Sequence, residues 1–370
     1  FVEETRNTGL LDWSFRPLDE IGKLNSKSAA NDLRINLGLN YKVSENLSAQ
    51  VLYQYWRNNF NSRNIQDVEL FTVRNLINSY SQVSADGSLF RPVPLGDRLY
   101  TGYRESFSHN LRTQLNYSRS IGKGDLVALG GWELRDRQSL EDRATYYGYN
   151  DRLGISAPVD HVTLFPQFQN PGSRLTIPYG GLHAGEVDRF MSYFANASYT
   201  YDKKYSLTLS GRRDMSNLFG VNANQRGVPL WSVGTAWILS NETFYNWDYM
   251  PFLKLRTTLG YNGNVDRFSS ALTTMRYSAF NMIVPGLPYA FINTPPNPDL
   301  RWERIKIANF GLDFENRSGT LSGNIEYYTK NGIDLIGESL IPESNGLMNY
   351  RGNFSSTRTT GWDIILNTLN

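Results

Sequence analysis

The chain has 370 residues, of which 40% are apolar, 19% charged and 14% aromatic, with a formal net charge of +2 and no cysteine. That mixture is too aromatic and too weakly charged for a disordered chain, and it implies no bulk attraction to nucleic acid. Disulfides and thiolate metal sites are excluded.

Read in chain order, the dominant signal is period-two alternation, the pattern of strands whose neighbouring side chains point to opposite faces. Leu33, Ile35, Leu37, Leu39, Tyr41 and Val43 are apolar, with Arg34, Asn36, Gly38, Asn40 and Lys42 between them. The same alternation runs through 107–117, 191–201, 205–213 and 253–261. Eleven strands are predicted, at 31–43, 47–58, 104–119, 124–138, 189–201, 205–216, 228–239, 252–263, 302–315, 320–330 and 353–368. Residues 1–30 read as a lead-in, and 31–369 as strands and loops of one domain. No segment has a useful helical period; the best candidate is the short stretch Ser240 to Trp247, which Ser240 or Asn241 could cap.

The connections alternate in length. Short turns rich in Asn, Asp, Gly and Ser fall at 44–46, 120–123, 202–204 and 316–319, with a somewhat longer link at 240–251. The other links are mostly long, at 59–103, 140–188, 264–301 and 331–352, with a shorter one at 217–227. An up-and-down meander gathers the short links at one end and the long ones at the other. That asymmetry matches an outer-membrane barrel, with short periplasmic turns and long extracellular loops. Tyr41, Tyr117, Tyr199, Tyr201, Tyr205, Phe314 and Tyr327 lie near short turns and read as an interfacial girdle. No run of ~18 apolar residues exists to form a transmembrane helix. Membrane strands need only alternate, so the mean hydropathy of −0.45 is compatible with a barrel.

The face opposite the apolar one carries Arg34, Arg112, Gln114, Glu133, Arg135, Arg212, Lys254 and Arg256. A wide lumen, wet or filled by a plug, accommodates such charges, whereas a small dry barrel does not. Arg112, Arg135, Arg212, Asp214 and Arg256 are therefore the candidate lumen-facing charges. The long loops are the places for recognition. Within them Tyr146, Tyr147, Tyr149, Phe165, Phe168 and Tyr179 could stack on sugar rings or on a partner protein, or pack on one another.

Catalysis has little support. The three histidines, His109, His161 and His183, lack zinc-site spacing, and no nucleophile elbow or phosphate loop occurs. No metal and no cofactor is expected.

Several motifs together resemble one family. Tyr199-Thr-Tyr-Asp-Lys-Lys-Tyr205 and the following Leu207 to Gly220 are similar to a hairpin of the SusC/RagA family of TonB-dependent outer-membrane transporters of Bacteroidetes. Pro229 to Trp237, Leu253 to Asn264, Asn297-Pro-Asp-Leu-Arg-Trp-Glu303 and Asn309 to Phe314 follow in family order. Pro17 to Ile21, Arg74 to Asn78 and Pro92 to Gly96 precede them. The resemblance implies an all-β, antiparallel transmembrane barrel of about 22 strands with a plugged lumen. It also implies a TonB-contact segment, a SusD-like lipoprotein partner, a glycan or peptide substrate, and dimers of transporter–lipoprotein pairs. No plug domain, TonB-contact segment or signal peptide is legible in these residues. Eleven strands are about half of such a barrel, and an open edge in lipid leaves backbone groups unpaired, so a fragment of a longer chain is expected. A siderophore receptor, a passive porin and a soluble β-rich carbohydrate-binding protein are the alternatives.

Overall fold

The computed structural model describes residues 8–217, 227–264, 270–278, 289–340, 344 and 349–369. Residues 218–226 of the expected link at 217–227, with the motif residues Leu218 to Gly220, and parts of the 264–301 and 331–352 loops lie outside these.

Each of the eleven expected strands is present. They are β1 (Leu24–Lys42), β2 (Leu47–Gln66), β3 (Asp97–Ile121), β4 (Gly124–Asn150), β5 (Leu182–Tyr201), β6 (Tyr205–Ser216), β7 (Gly227–Ile238), β8 (Phe252–Asn264), β9 (Glu303–Glu315), β10 (Leu321–Leu340) and β11 (Asn349–Thr368). Each pairs antiparallel with the next, so sheet order equals chain order. The sheet is open: β1 and β11 each have one neighbour among the described residues.

Register places the outward-facing residues, most of them apolar, in continuous rows. Leu39 faces Val51, which faces Thr113, then Trp132, Tyr193 and Arg213. Tyr201, Tyr205, Trp237, Leu255, Leu312 and Ile325 form a second row near the short turns. These side chains are open to the surroundings: Leu37 is 61% exposed and Leu39 66%.

The turns at the short end follow hairpin rules. Asp202 and Lys203 both take positive φ, 50° and 53°, the handedness that matches the twist of flanking strands. Asn316 closes the β9–β10 turn by accepting the Leu321 N–H at 3.0 Å. The β7–β8 link holds only a 3-10 turn, Leu239–Asn241, in place of the expected Ser240 to Trp247 helix. Asn241 donates sideways to the Lys203 carbonyl at 2.9 Å instead of capping. Glu242 collects the Tyr205 hydroxyl, the Trp237 indole N–H at 3.0 Å and the Lys204 ammonium at 3.3 Å, joining two neighbouring turns.

At the other end the strands outrun the alternation. β4 continues to Asn150 and β2 to Gln66, beyond the expected 138 and 58. Above that level the strict alternation ends, and side chains such as Ile65 and Tyr147 are buried at the loop end of the strands. A helix missed by periodicity, α1 (Phe71–Tyr80), sits in the 59–103 loop. Its buried face, Val73, Ile77 and Tyr80, packs with Leu70, Val93, Tyr147, Phe165 and Ile177 into a compact loop core. Asn78 clamps the lead-in: it accepts the Leu11 N–H at 3.0 Å and donates to the Leu11 carbonyl at 2.8 Å.

Candidate functional site

The five candidate charges share the face opposite the apolar rows. Arg112 and Arg135 come from β3 and β4, Arg212 and Asp214 from β6, and Arg256 from β8. They form three clusters. In the first, Arg112 lies 4.5 Å above the Phe194 ring and Arg135 4.6 Å above Phe190. Arg137 stands 5.8 Å from the Trp56 ring, and Trp56 donates its indole N–H to Asp32 at 2.6 Å. Arg34, Trp56, Arg112, Glu133, Arg135 and Arg137 line a groove of about 670 Å³. Guanidinium groups laid on aromatic faces keep their in-plane donors available, because stacking uses only the π surface.

In the second cluster Arg212 donates to Asp214 at 2.5 Å and to Ser192 at 2.9 Å, and lies 4.0 Å from Glu133. In the third, Arg256 crosses β9 to reach both Asp313, at 3.1 Å, and Glu326 on β10. Two glycines make these arrangements possible. A Cβ on Gly131 would stand 2.9 Å from Phe194 Cζ, and one on Gly311 would stand 2.9 Å from Arg256 Cγ.

Sequence reading missed Trp56, Phe190 and Phe194. A signal was present: Tyr55-Trp56, Phe190-Met191 and Tyr193-Phe194 are adjacent apolar pairs, and each breaks strict alternation by placing one aromatic on the polar face.

The six loop aromatics do not act as one surface. Tyr147 is buried and donates to the Pro178 carbonyl at 2.6 Å. Burial pushes its phenol up to about 12. Phe165 is buried edge-on to Tyr80, with ring centres 6.5 Å apart. Phe168 packs on Trp13 at 5.7 Å, and Tyr149 accepts an Arg63 N–H at 2.9 Å. Tyr146 and Tyr179 stay open, 42% and 61% exposed, with Tyr179 edge-on to His161. The other two histidines are engaged on strands: His109 with the Tyr53 hydroxyl at 2.8 Å, His183 with Asp142 at 2.6 Å. Among the described residues no cluster of His, Asp and Glu could hold a metal ion.

On the apolar side, runs of nine to eleven residues such as 47–55, 107–117, 124–134 and 191–201 end in charged residues, Arg57, Glu105, Asp136 and Arg189. A tilted membrane strand needs about 9–11 residues to cross hydrocarbon. A sheet with one face matched to lipid, a charged opposite face and strands in meander order is the wall of an outer-membrane β-barrel. The chain belongs to the TonB dependent receptor-like, beta-barrel family, whose family model matches residues 5–369.

The chain is 28% identical to TonB-dependent receptor P26 of Formosa agariphila over 267 residues, 70% of this chain and 25% of that protein. Against TonB-dependent receptor SusC of Bacteroides thetaiotaomicron it is 24% identical over 269 residues, 69% of this chain and 24% of that one. The chain thus spans about a quarter of the length of these relatives. The RagAB peptide transporter shares its fold with a TM-score of 0.74 at 20% identity, over 94% of this chain and 35% of that chain. The motif resemblance and the fold therefore point to the same family. The short turns are periplasmic and the long loops extracellular.

Proposed function

We propose that this wall is part of a TonB-dependent importer that carries a bulky nutrient, a glycan or a peptide, across the outer membrane. A plug domain would close the passage, and TonB would displace it using the inner-membrane proton gradient. A SusD-like surface lipoprotein would meet the extracellular loops, with Tyr146 and Tyr179 as the open aromatic contacts, and transporter–lipoprotein pairs would associate two by two. Residues 1–370 would form one portion of a single barrel domain.

One observation carries the reading. The inner face lays three arginines on aromatic rings in an open groove, an arrangement costly in a dry core and suited to a polar passage. Arg112, Arg135, Arg212, Asp214 and Arg256 would line that passage or seat the plug. The likeness to the RagAB peptide transporter favours a peptide, and the family resemblance of the sequence motifs keeps a glycan as the other substrate class.

The experiment is uptake of labelled oligosaccharides and oligopeptides by cells carrying the full-length receptor. Uptake is expected to stop when the proton gradient is collapsed, and to fall at least about tenfold in R112Q/R135Q with barrel assembly intact. Uptake that survives loss of the gradient would indicate a passive porin. Uptake of iron chelates alone would indicate a siderophore receptor. A chain that stays monomeric in buffer without detergent would indicate a soluble binding protein.

A further inference from the structure

The lipid-facing side carries a feature that passage of a nutrient does not use. On β2 to β5 the charges capping the apolar runs are neutralised in pairs. Arg57 lies 2.5 Å from Glu105, and Arg189 lies 3.2 Å from Asp136. On β6 to β9 the corresponding level is different. Further up the outward face Trp231 on β7, Tyr261 on β8 and Lys306 on β9 form one cross-strand row, and Arg213 on β6 stands two residues above it, since Trp231 pairs with Gly211 and Arg213 with Pro229. Trp231 and Tyr261 are direct cross-strand partners with ring centres 5.5 Å apart. Lys306 pairs with Tyr261 in turn, its ammonium 6.0 Å from that ring. Arg213 is exposed and pairs across the strand with Tyr193, itself 51% exposed. Among the described residues neither Arg213 nor Lys306 has a carboxylate within ion-pair distance.

Two cations with no counter-charge among the described residues therefore flank an aromatic pair at the outer boundary of the hydrocarbon. An uncompensated charge there is expensive in the absence of an anion. Tyr and Trp rings sit at the headgroup level of a membrane, where one edge meets acyl chain and the other meets water. Arg and Lys bind phosphate strongly, Arg through a planar fork and Lys as a point charge. Three strand spacings of roughly 4.8 Å and a two-residue offset along the strand separate Arg213 from Lys306, about 16 Å in all, the width of a sugar-sized headgroup rather than of a single ion.

We propose that Arg213, Trp231, Tyr261 and Lys306 form a binding site for the phosphorylated headgroup of a glycolipid in the outer leaflet. The rings take the sugar and the first acyl segments, and the cations take the phosphates. Seating of that lipid anchors the barrel at a fixed height on this flank. The pairing of rim charges on β2 to β5 leaves that flank without such a site. This inference depends on the outward face of four interior strands, each flanked by its neighbours in the sheet.

The full-length receptor in detergent, offered diphosphoryl lipid A or its dephosphorylated form, is the test. Native mass spectrometry reads the lipids retained per barrel. The wild type is expected to retain the phosphorylated lipid at least about tenfold better than the dephosphorylated one. R213Q/K306Q is expected to lose that preference, while R57Q keeps it. Heat-modifiable mobility on a gel checks that each variant is a closed barrel. If the double variant fails to assemble, the wild-type contrast between the two lipids still decides. Equal retention of both lipids by the wild type, or an unchanged preference in R213Q/K306Q, would overturn the site. Full displacement of the lipid by inorganic phosphate alone would also overturn it, as a small-anion site.

Discussion

The Asp334 carboxylate accepts the Arg301 guanidinium at 2.6 Å across 33 residues of sequence. Arg304 shares the same carboxylate at 2.5 Å, and Asn353 donates to the Asp334 carbonyl at 2.6 Å. Asp334 itself sits at φ 58°, where the β10–β11 register shifts. Three elements at the extracellular rim, the approach to β9, the bend in β10 and the start of β11, therefore meet at one side chain. This explains the Asn297 to Glu303 motif in physical terms: Leu300 and Trp302 are buried, and Arg301 reaches the hub.

The hub is pH-sensitive. Arg301, then Arg304, hold the Asp334 carboxyl below its ordinary range. A depressed folded value means that the stabilisation is present above the unfolded value of about 3.9 and is lost as pH falls through the folded one. The hydrogen-exchange protection factors over 297–304, taken relative to the intrinsic rate at each pH, should stay constant from pH 7 to 5 and fall below pH 4. D334N, which tolerates the same positive φ, should cost about 1 kcal/mol at pH 7, since both arginines are nearly half exposed and screened. Unchanged exchange in D334N would remove the hub from the rim's stability.

The loop core should melt independently of the wall. Truncating buried Phe165 to Ala removes a ring from the cluster around Tyr80 and Ile177, a loss of about 3 kcal/mol in a packed site. Limited proteolysis between 151 and 181 is expected to quicken sharply in F165A, with barrel mobility on gels unchanged. Equal proteolysis rates in F165A and wild type would mean that the loops are held by something else.

Alkaline pH should act at Tyr147. Its folded value is raised to about 12 by burial, against roughly 10 in an unfolded chain. The neutral phenol therefore stabilises the loops fully below pH 10, and that contribution disappears as pH climbs through 12. Phenolate absorbance should show one fewer late-ionising group in Y147F, and the variant's loops should better resist pH 11. Loss of a group that ionises in the ordinary range near 10 would instead place Tyr147 in water.

Neighbouring residues on β6 should respond to charge with very different costs. Leu209 faces lipid and Ser210 faces inward, where its hydroxyl meets Ser232 at 2.6 Å. Leu209→Arg should destabilise the full-length barrel in lipid by about 2–4 kcal/mol. Ser210→Arg should cost less than about 1 kcal/mol, the common range outside a packed core. Urea titration in vesicles reads both, and equal costs would refute the assignment of faces.

Strand number, order and facing were legible in the residues themselves, because period-two alternation is a local property and lipid on one side enforces it strictly. Leu39, Val51 and Tyr193 could be assigned to one face without coordinates. The upper halves of β2 and β4 were not legible, since beyond the lipid no single face has to be apolar, so the alternation ends while backbone pairing continues. Helix α1 was hidden for a related reason: its first N–H groups are satisfied from a distance, with Glu20 accepting the Phe71 N–H at 2.9 Å across 51 residues, so no cap stands beside it in sequence. Tertiary structure alone separated buried Tyr147 and Phe165 from open Tyr146 and Tyr179, because all four have the same aromatic character and differ only in what the loops fold over them. It also set Arg112 on Phe194, since a contact through the space above Gly131 depends on two strands that flank β4, their residues 82 apart in sequence.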